Sequence, residues 1–302
     1  MHVPVLLREV TALLQPERGG VFVDATLGLG GHAEAVLAAA PAARLVGVDR
    51  DPDARAIAAR RLERFGGRIE IVDGDFRDLG ALLAGRRVAG VLADLGVSSL
   101  QLDRAERGFS FRADGPLDMR MGDSGPTAAQ LVATMTEAEL ERTFRTLGEE
   151  PEYRRVARAV VAARQRQPIT TTRQLAEVVR GAKRAHGGRP DRIDPATRVF
   201  QSLRIEVNQE LAALSEMLDA AIGMLDRDGR LVVISYHSLE DRVVKNRFRD
   251  LARGEVDPIT GRTSSETRLL ETLTRKPVTP SEAEVARNPR ARSARLRAAR
   301  RL

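Results

Sequence analysis

The chain is 302 residues long and 42% hydrophobic, enough to bury a full core and to hold one large domain with an addition. It has no cysteine, which excludes disulfides, iron–sulfur clusters, thiolate zinc sites and any mechanism needing a cysteine nucleophile, attack on a pyrimidine ring carbon included; with only four histidines, no metal is expected. The net charge is +7 and unevenly placed: residues 151–209 hold 13 Arg and Lys against 5 Asp and Glu, and residues 287–302 hold seven arginines and no acid, so the rest is acidic and the basic segments read as a polyanion footprint.

No run reaches the roughly 18 apolar residues of a membrane span. Residues 1–10 lack the basic start and long apolar core of a signal peptide. A cytoplasmic protein with no membrane partner is therefore expected. Four short apolar runs then recur, at 21–24, 45–49, 69–73 and 88–94, with helical patterns between them. Strands alternating with helices predict parallel βαβ units, whose ligands sit at strand C-termini. Each run ends at an acid: Asp24, Asp49, Asp73 and Asp94. One such Asp could merely cap the next helix; four at equivalent ends form a functional pattern.

From Gly96 to Met121 no periodicity is visible and turn residues abound, the signature of a long functional loop. Arg107, Phe109 and Arg120 within it are candidate substrate contacts. Helices follow. Thr127-x-x-Gln130, Thr136-x-x-Glu139 and Thr171-x-x-Gln174 read as capping boxes, Gly148 closes the second of these helices, and the third should stop near Gly187-Gly188. Residues 152–166 predict an amphipathic helix: at 100° per residue Arg154, Arg155, Arg158 and Arg166 fall within about 120° of arc, with Arg164 off the stripe. Asp194-Pro195 opens a long helix running to about Met224. The sheet resumes at Gly229–Ser238, where His237 and Ser238 are further candidate substrate contacts. Residues 254–266 look like a mobile loop, and Leu270–Val278 could be a last strand. The expected division is a first part of the sheet domain at 1–105, a loop and helical insertion at 106–210 for substrate recognition, and the second part of the sheet domain at 211–302 with a basic C-terminal tail.

Gly28-x-Gly30-x-x-Ala33 fits a loose dinucleotide fingerprint, with Asp49 where a ribose-binding acid belongs. The discriminating residue is Asp24. Buried beside a pyrophosphate it would be strongly repelled; beside the ammonium of S-adenosylmethionine it would be attracted, so that cofactor is favoured over NAD. Phe76 could stack on an adenine ring or be an ordinary core residue. Asp94, at the end of the fourth run, could accept an N–H from a poorly nucleophilic exocyclic amine, or serve only as a cofactor or loop anchor. His237 could line a substrate pocket or be a hydrogen-bonded structural residue.

Taken together, Asp24-Ala-Thr-Leu-Gly-Leu-Gly-Gly-His32, Ala93–Asp103, Arg107-Gly-Phe-Ser-Phe111, Gly115–Met121, Pro195–Gln201, Leu203–Asn208, Ile234–Arg242 and Asn288–Ala294 resemble one family nearly end to end: the bacterial small-subunit (16S) ribosomal RNA cytosine-N(4) methyltransferases that modify the decoding site. Tyr236 departs from it, standing where Phe is expected. The resemblance implies a class I, Rossmann-like α/β fold with a helical insertion. It implies cofactor contacts at Gly30, Gly31, His32, Asp49, Phe76, Asp94 and Gln101, to which the residues themselves add Asp24 and Gly28. It also implies 16S ribosomal RNA within the small subunit as partner; monomer and homodimer both stay open. The rival readings are an NAD-linked oxidoreductase and a non-catalytic RNA-binding assembly factor.

Overall fold

The computed structural model describes residues 4–97, 102, 104–122, 124–183, 194–255 and 266–302. Its strands are β1 Gly20–Asp24, β2 Ala43–Asp49, β3 Ile69–Asp73, β4 Val88–Asp94, β5 Leu225–Ser235, β6 Leu270–Thr272 and β7 Arg295–Arg301. Its helices are α1 Leu7–Leu14, α2 Gly31–Ala39, α3 Pro52–Leu62, α4 Leu79–Leu82, α5 Ala128–Thr134, α6 Glu137–Thr146, α7 Tyr153–Arg166, α8 Thr172–Ala182, α9 Thr197–Asn208, α10 Glu210–Met224, α11 Ser238–Arg253 and α12 Glu282–Arg287. Two compact units divide the chain: Met1–Gly96 with Leu211–Leu302, and Val97–Glu210. The 105/106 boundary expected from sequence lies inside the second unit.

The first unit is built on one seven-stranded sheet in the order β3-β2-β1-β4-β5-β7-β6. Strands β1 to β5 run parallel, and β7 runs antiparallel to both its neighbours. This is the α/β sheet expected from the alternating apolar runs. Successive residues of each strand serve opposite faces. Phe22, Leu45 and Leu92 pack with Val10 and Leu14 of α1 and Val36 and Leu37 of α2. Their neighbours Val23, Val46 and Val91 pack with Leu214, Met217 and Leu218 of α10 and with Val244 and Phe248 of α11. The chain leaves β1 for β2 and β3 on one side and returns to β4 on the other. That reversal opens the ligand crevice of a doubly wound sheet at the strand C-termini.

The second unit is helical. All three capping boxes form, with Thr127, Thr136 and Thr171 as N-caps. Its core joins Phe144, Val156, Val160, Leu175, Val179 and Leu203. Among the described residues 104–122 the stretch before α5 holds a 3-10 turn at Ala105–Arg107 and is pinned: Leu117 N–H donates to Thr170 O (2.8 Å), Thr172 N–H donates to Gly115 O (2.9 Å), and Leu117 and Met119 are fully buried. Residues 98–101 and 103 of that stretch, including Gln101, lie outside the described residues, as do the helix end foreseen at Gly187-Gly188 and most of the loop foreseen at 254–266.

Three expectations need correction. The long helix from Asp194 is two helices, α9 and α10, because Gln209 takes a left-handed conformation (φ 51°) and interrupts the hydrogen-bond ladder. The segment Leu270–Val278 is a strand only at β6, with one isolated bridge from Val278 to Leu296. The basic tail is not a tail: Arg295–Arg301 is β7, seated between β5 and β6. Arg295, Arg297 and Arg300 are paired with acids distant in sequence. Buried Arg297 makes two hydrogen bonds to Asp241 (2.6 and 3.2 Å), Arg295 lies 3.4 Å from the same carboxylate, and Arg300 binds Glu271 and Asp228. Burial opposes ionisation of Asp241, but the Arg297 hydrogen bonds and the two arginine charges outweigh it and hold its carboxyl below the usual range.

Removing one partner of a buried pair strands the other charge. Arg297→Met should therefore lower unfolding stability by about 3 kcal/mol in urea titrations at pH 7; an unchanged midpoint would show that the pair carries no net stability.

Candidate active site

The four acids end four adjacent strands. Asp24 is in register with Gly47 and Leu92, Asp49 with Asp73, and Asp94 with Ile234. Asp24 ends β1 and is 2% exposed. Its Oδ1 accepts from the Thr26 N–H (3.2 Å). Burial is the largest influence on it and drives its pKa up; the His32 charge and the Thr26 N–H pull it down, Asp94 and Asp49 push it up again, and the result is about 7. Thr26 ties this acid to the next strand, since its Oγ1 accepts from the Asp94 N–H (2.7 Å).

His32, in the first turn of α2, is buried, and neither ring nitrogen has a hydrogen-bond partner among the described residues. Nε2 lies 3.4 Å from Asp94 Oδ2 without hydrogen-bond alignment. A buried imidazole with two unsatisfied nitrogens is costly unless something else meets it. The glycine loop leads into the same helix. Gly28 has φ +50°, and a Cβ there would meet only Thr26 O, at 3.8 Å. Gly31 is required for a different reason than ligand approach: its Cβ would come within 2.4 Å of Pro4 Cγ. Gly30 caps α2 in a left-handed conformation, and no side chain caps that N-terminus. The first N–H groups of α2 thus form a positive end available to an anionic group.

Asp49 accepts from the Gly28 N–H through Oδ2 (2.7 Å) and from the Asp51 N–H through Oδ1 (2.9 Å). Burial raises its pKa and those two N–H groups lower it in part. Each oxygen keeps a further lone pair for a hydroxyl donor. Phe76 opens a 3-10 turn capped by Asp75, and it packs partly against the core under the sheet. Asp94 is held on both sides: Oδ1 accepts from the Tyr236 hydroxyl (2.8 Å), and Oδ2 faces His32. Burial, then the Asp94 charge and hydrogen bond, push the Tyr236 phenol well above 10, so it stays protonated and donates.

Spacing alone finds the strand acids, the glycines and Phe76, and the resemblance adds His32. Neither carries a signal for Thr26 or Pro4, and only the departure from Phe at 236 marks Tyr236. His237 serves the fold here. Its Nδ1 accepts from the Glu240 N–H (3.4 Å), while Glu240 Oε2 accepts from the N–H groups of Tyr236 and His237 (2.8 and 3.3 Å), a capping box for α11 whose first residue is Ser238.

In the second unit, Arg107 donates to the carbonyls of Arg120 and Met121 (both 3.2 Å), Arg120 grips Asp118 through two nitrogens (2.9 and 2.8 Å), and the Phe109 ring lies in the core. These three predicted substrate contacts each have an internal structural partner. On α7, Arg154, Arg155, Arg158 and Arg166 are exposed, the first three loosely paired with Glu141, Glu152 and Glu137 at 3.4–3.8 Å. Arg164, off the stripe, donates to Val132 O and Met135 O.

A family model described as the MraW methylase family matches residues 1–302. Among curated proteins, one from Bradyrhizobium diazoefficiens is 50% identical over 307 residues, covering 99% of this chain and 91% of that protein. One from Nitrobacter winogradskyi is 51% identical over 310 residues (99% and 90%), and one from Acidiphilium cryptum 50% over 312 residues (100% and 97%). All three are named ribosomal RNA small subunit methyltransferase H.

Asp24 also makes a stability prediction. Its folded pKa, about 7, exceeds its ordinary value of 3.8. The folded state therefore holds the proton more tightly, and stability falls as pH rises between those values, levelling off above 7. Asp24→Asn should raise the urea midpoint of the free protein more at pH 8 than at pH 5. An equal effect at both would mean that Asp24 is ionised throughout.

Proposed function

The chain belongs to the MraW methylase family, and on that premise we propose that it transfers a methyl group from S-adenosylmethionine to the exocyclic N(4) amine of a decoding-site cytidine in 16S ribosomal RNA. The observation that carries the reading is the cluster at the end of β1: a buried acid, Asp24, beside a buried imidazole whose nitrogens make no hydrogen bond among the described residues, His32, and a second acid, Asp94. Such a cluster suits a ligand that brings its own positive charge.

The residues fit that cofactor. Asp24 holds the ammonium, whose charge favours the ionised carboxylate. Gly28, Gly30, Gly31 and His32 line the amino-acid end, the uncapped N–H groups of α2 accommodating the carboxylate. Asp49 takes the ribose hydroxyls, and the exposed part of Phe76 meets the adenine. When bound, S-adenosylmethionine supplies an electrophilic methyl group on a sulfonium. An NAD pyrophosphate in the same place would face the Asp49 and Asp94 carboxylates, which repel it, and would bring no cation to Asp24.

The target amine is a weak nucleophile because its lone pair is delocalised into the cytosine ring. Asp94 accepts one of its N–H groups, localises the pair and takes the proton. Holding the amine in line with the methyl carbon supplies much of the remaining rate, up to roughly 7–11 kcal/mol. No covalent enzyme adduct is needed, in keeping with the absence of cysteine. The base must leave its stack to reach the strand ends. The exposed arginines of α7 bind RNA phosphates, which gives affinity and register but no sequence choice. The β7 arginines are engaged internally and take no such part. A ribosomal substrate places the protein in the cytoplasm, and among the described residues no helix is long and apolar enough to cross a membrane.

Incubation with methyl-labelled cofactor and unmodified small subunits should label one decoding-site cytidine. Asp94→Asn should slow transfer by about 10²–10⁴-fold. Label at another nucleotide, or none, would refute the reading. Replacing Arg154, Arg155 and Arg158 together by Ala should weaken RNA binding regardless of sequence and shallow the slope of log affinity against log salt by about 2. An unchanged slope would remove α7 from the interface.

A further inference from the structure

We propose that Tyr236 is a positioning residue for Asp94, its hydroxyl holding one carboxylate oxygen so that the other is presented to the target amine. This rests on the reading of Asp94 given above. The two residues end neighbouring strands, Asp94 on β4 and Tyr236 just past β5, where Asp94 is in register with Ile234. The hydroxyl donates to Oδ1 over 2.8 Å. Each partner is separately fixed. The Asp94 N–H is tied to Thr26 Oγ1, and the Tyr236 N–H to the buried Glu240 carboxylate. The phenol ring lies against Gly96, where a Cβ would approach Tyr236 Cδ2 to 3.2 Å.

An aspartate carboxylate rotates in a broad, two-fold well. Nothing in its own side chain chooses which oxygen faces the substrate. A donor fixed on one oxygen makes that choice, and here it leaves Oδ2, the oxygen that also faces His32 Nε2. In the methyl-transfer step, the amine nitrogen bonds the methyl carbon, the electron pair of the broken carbon–sulfur bond stays on sulfur, and the N–H proton passes to Oδ2. Placement of that acceptor matters, because small misplacements of a reacting group cost large factors in rate. The hydroxyl is suited to the task since it remains a donor: burial and the adjacent carboxylate keep it protonated.

Tyr236→Phe removes the hydroxyl and keeps the ring on Gly96. Four proteins are compared: the parent, Tyr236→Phe, Asp94→Asn and the double variant. The readouts are single-turnover methyl transfer to unmodified small subunits at saturating cofactor, cofactor affinity by calorimetry, and thermal midpoint. Tyr236→Phe should slow transfer about tenfold, with cofactor affinity unchanged and the midpoint lowered by no more than a few degrees, and it should add no further loss to Asp94→Asn. A parental rate for Tyr236→Phe beside a slow Asp94→Asn would overturn the positioning role and leave Asp94 in place. The same loss from Tyr236→Phe in both backgrounds would also overturn it, since the tyrosine would then act independently of Asp94. A parental rate for Asp94→Asn would overturn the assignment of Asp94 itself, and the positioning role with it.

Discussion

An acid at the end of β1, nearly sealed from water, is the constraint around which the rest is arranged. Asp24 is 2% exposed, and burial together with the neighbouring Asp94 and Asp49 carboxylates lifts its pKa to about 7. In that setting a negative charge is poorly tolerated until a positive one arrives. Topology is what creates the situation. The strand order reverses around β1, so the ends of β2 and β4 flank it and bring Asp49 and Asp94 alongside. Thr26 then couples two of the acids, its N–H on Asp24 and its hydroxyl on the backbone of Asp94.

Much of this was legible from residue order because it depends on local pattern. Runs of Val, Ile and Leu ending in Asp mark parallel strands whatever surrounds them, and β1 to β4 fall where those runs lie. The capping boxes at Thr127, Thr136 and Thr171 are equally local, each needing only residues three apart. What local pattern could not reveal depends on distant partners. Arg297 looks like part of a solvated basic tail until Asp241, far away in sequence, is seen against it. Gln209 carries no helix-breaking side chain, yet it adopts a left-handed conformation at the junction of α9 and α10. Gly31 looks like a ligand-facing glycine, while the atom that excludes a side chain there belongs to Pro4. Tyr236 reads as a one-atom variation on Phe, and that atom bonds the Asp94 carboxylate.

The arginines divide into two populations with different physics. Arg297 and Arg300 of β7 and Arg164 are anchored by carboxylates or carbonyls at short distance, and they hold the fold together. Those on the exposed stripe of α7 have loose partners across solvent, pairs of a kind that contribute little to stability. Loosely paired guanidinium groups are the ones free to exchange a carboxylate for a phosphate. Net charge alone does not separate Arg164, Arg297 and Arg300 from the α7 stripe; burial and distance together do.

The central claim is that Asp24, which with a pKa of about 7 holds its proton in the free protein on the acid side of neutrality, ionises to receive a cation. Calorimetric titration of S-adenosylmethionine near pH 6.5, repeated in buffers of different ionisation enthalpy, measures the protons exchanged on binding. The account predicts net proton release in the parent protein, lost in Asp24→Asn along with much of the affinity. Tight binding with no proton release, or with Asp24→Asn binding as well as the parent, would contradict it.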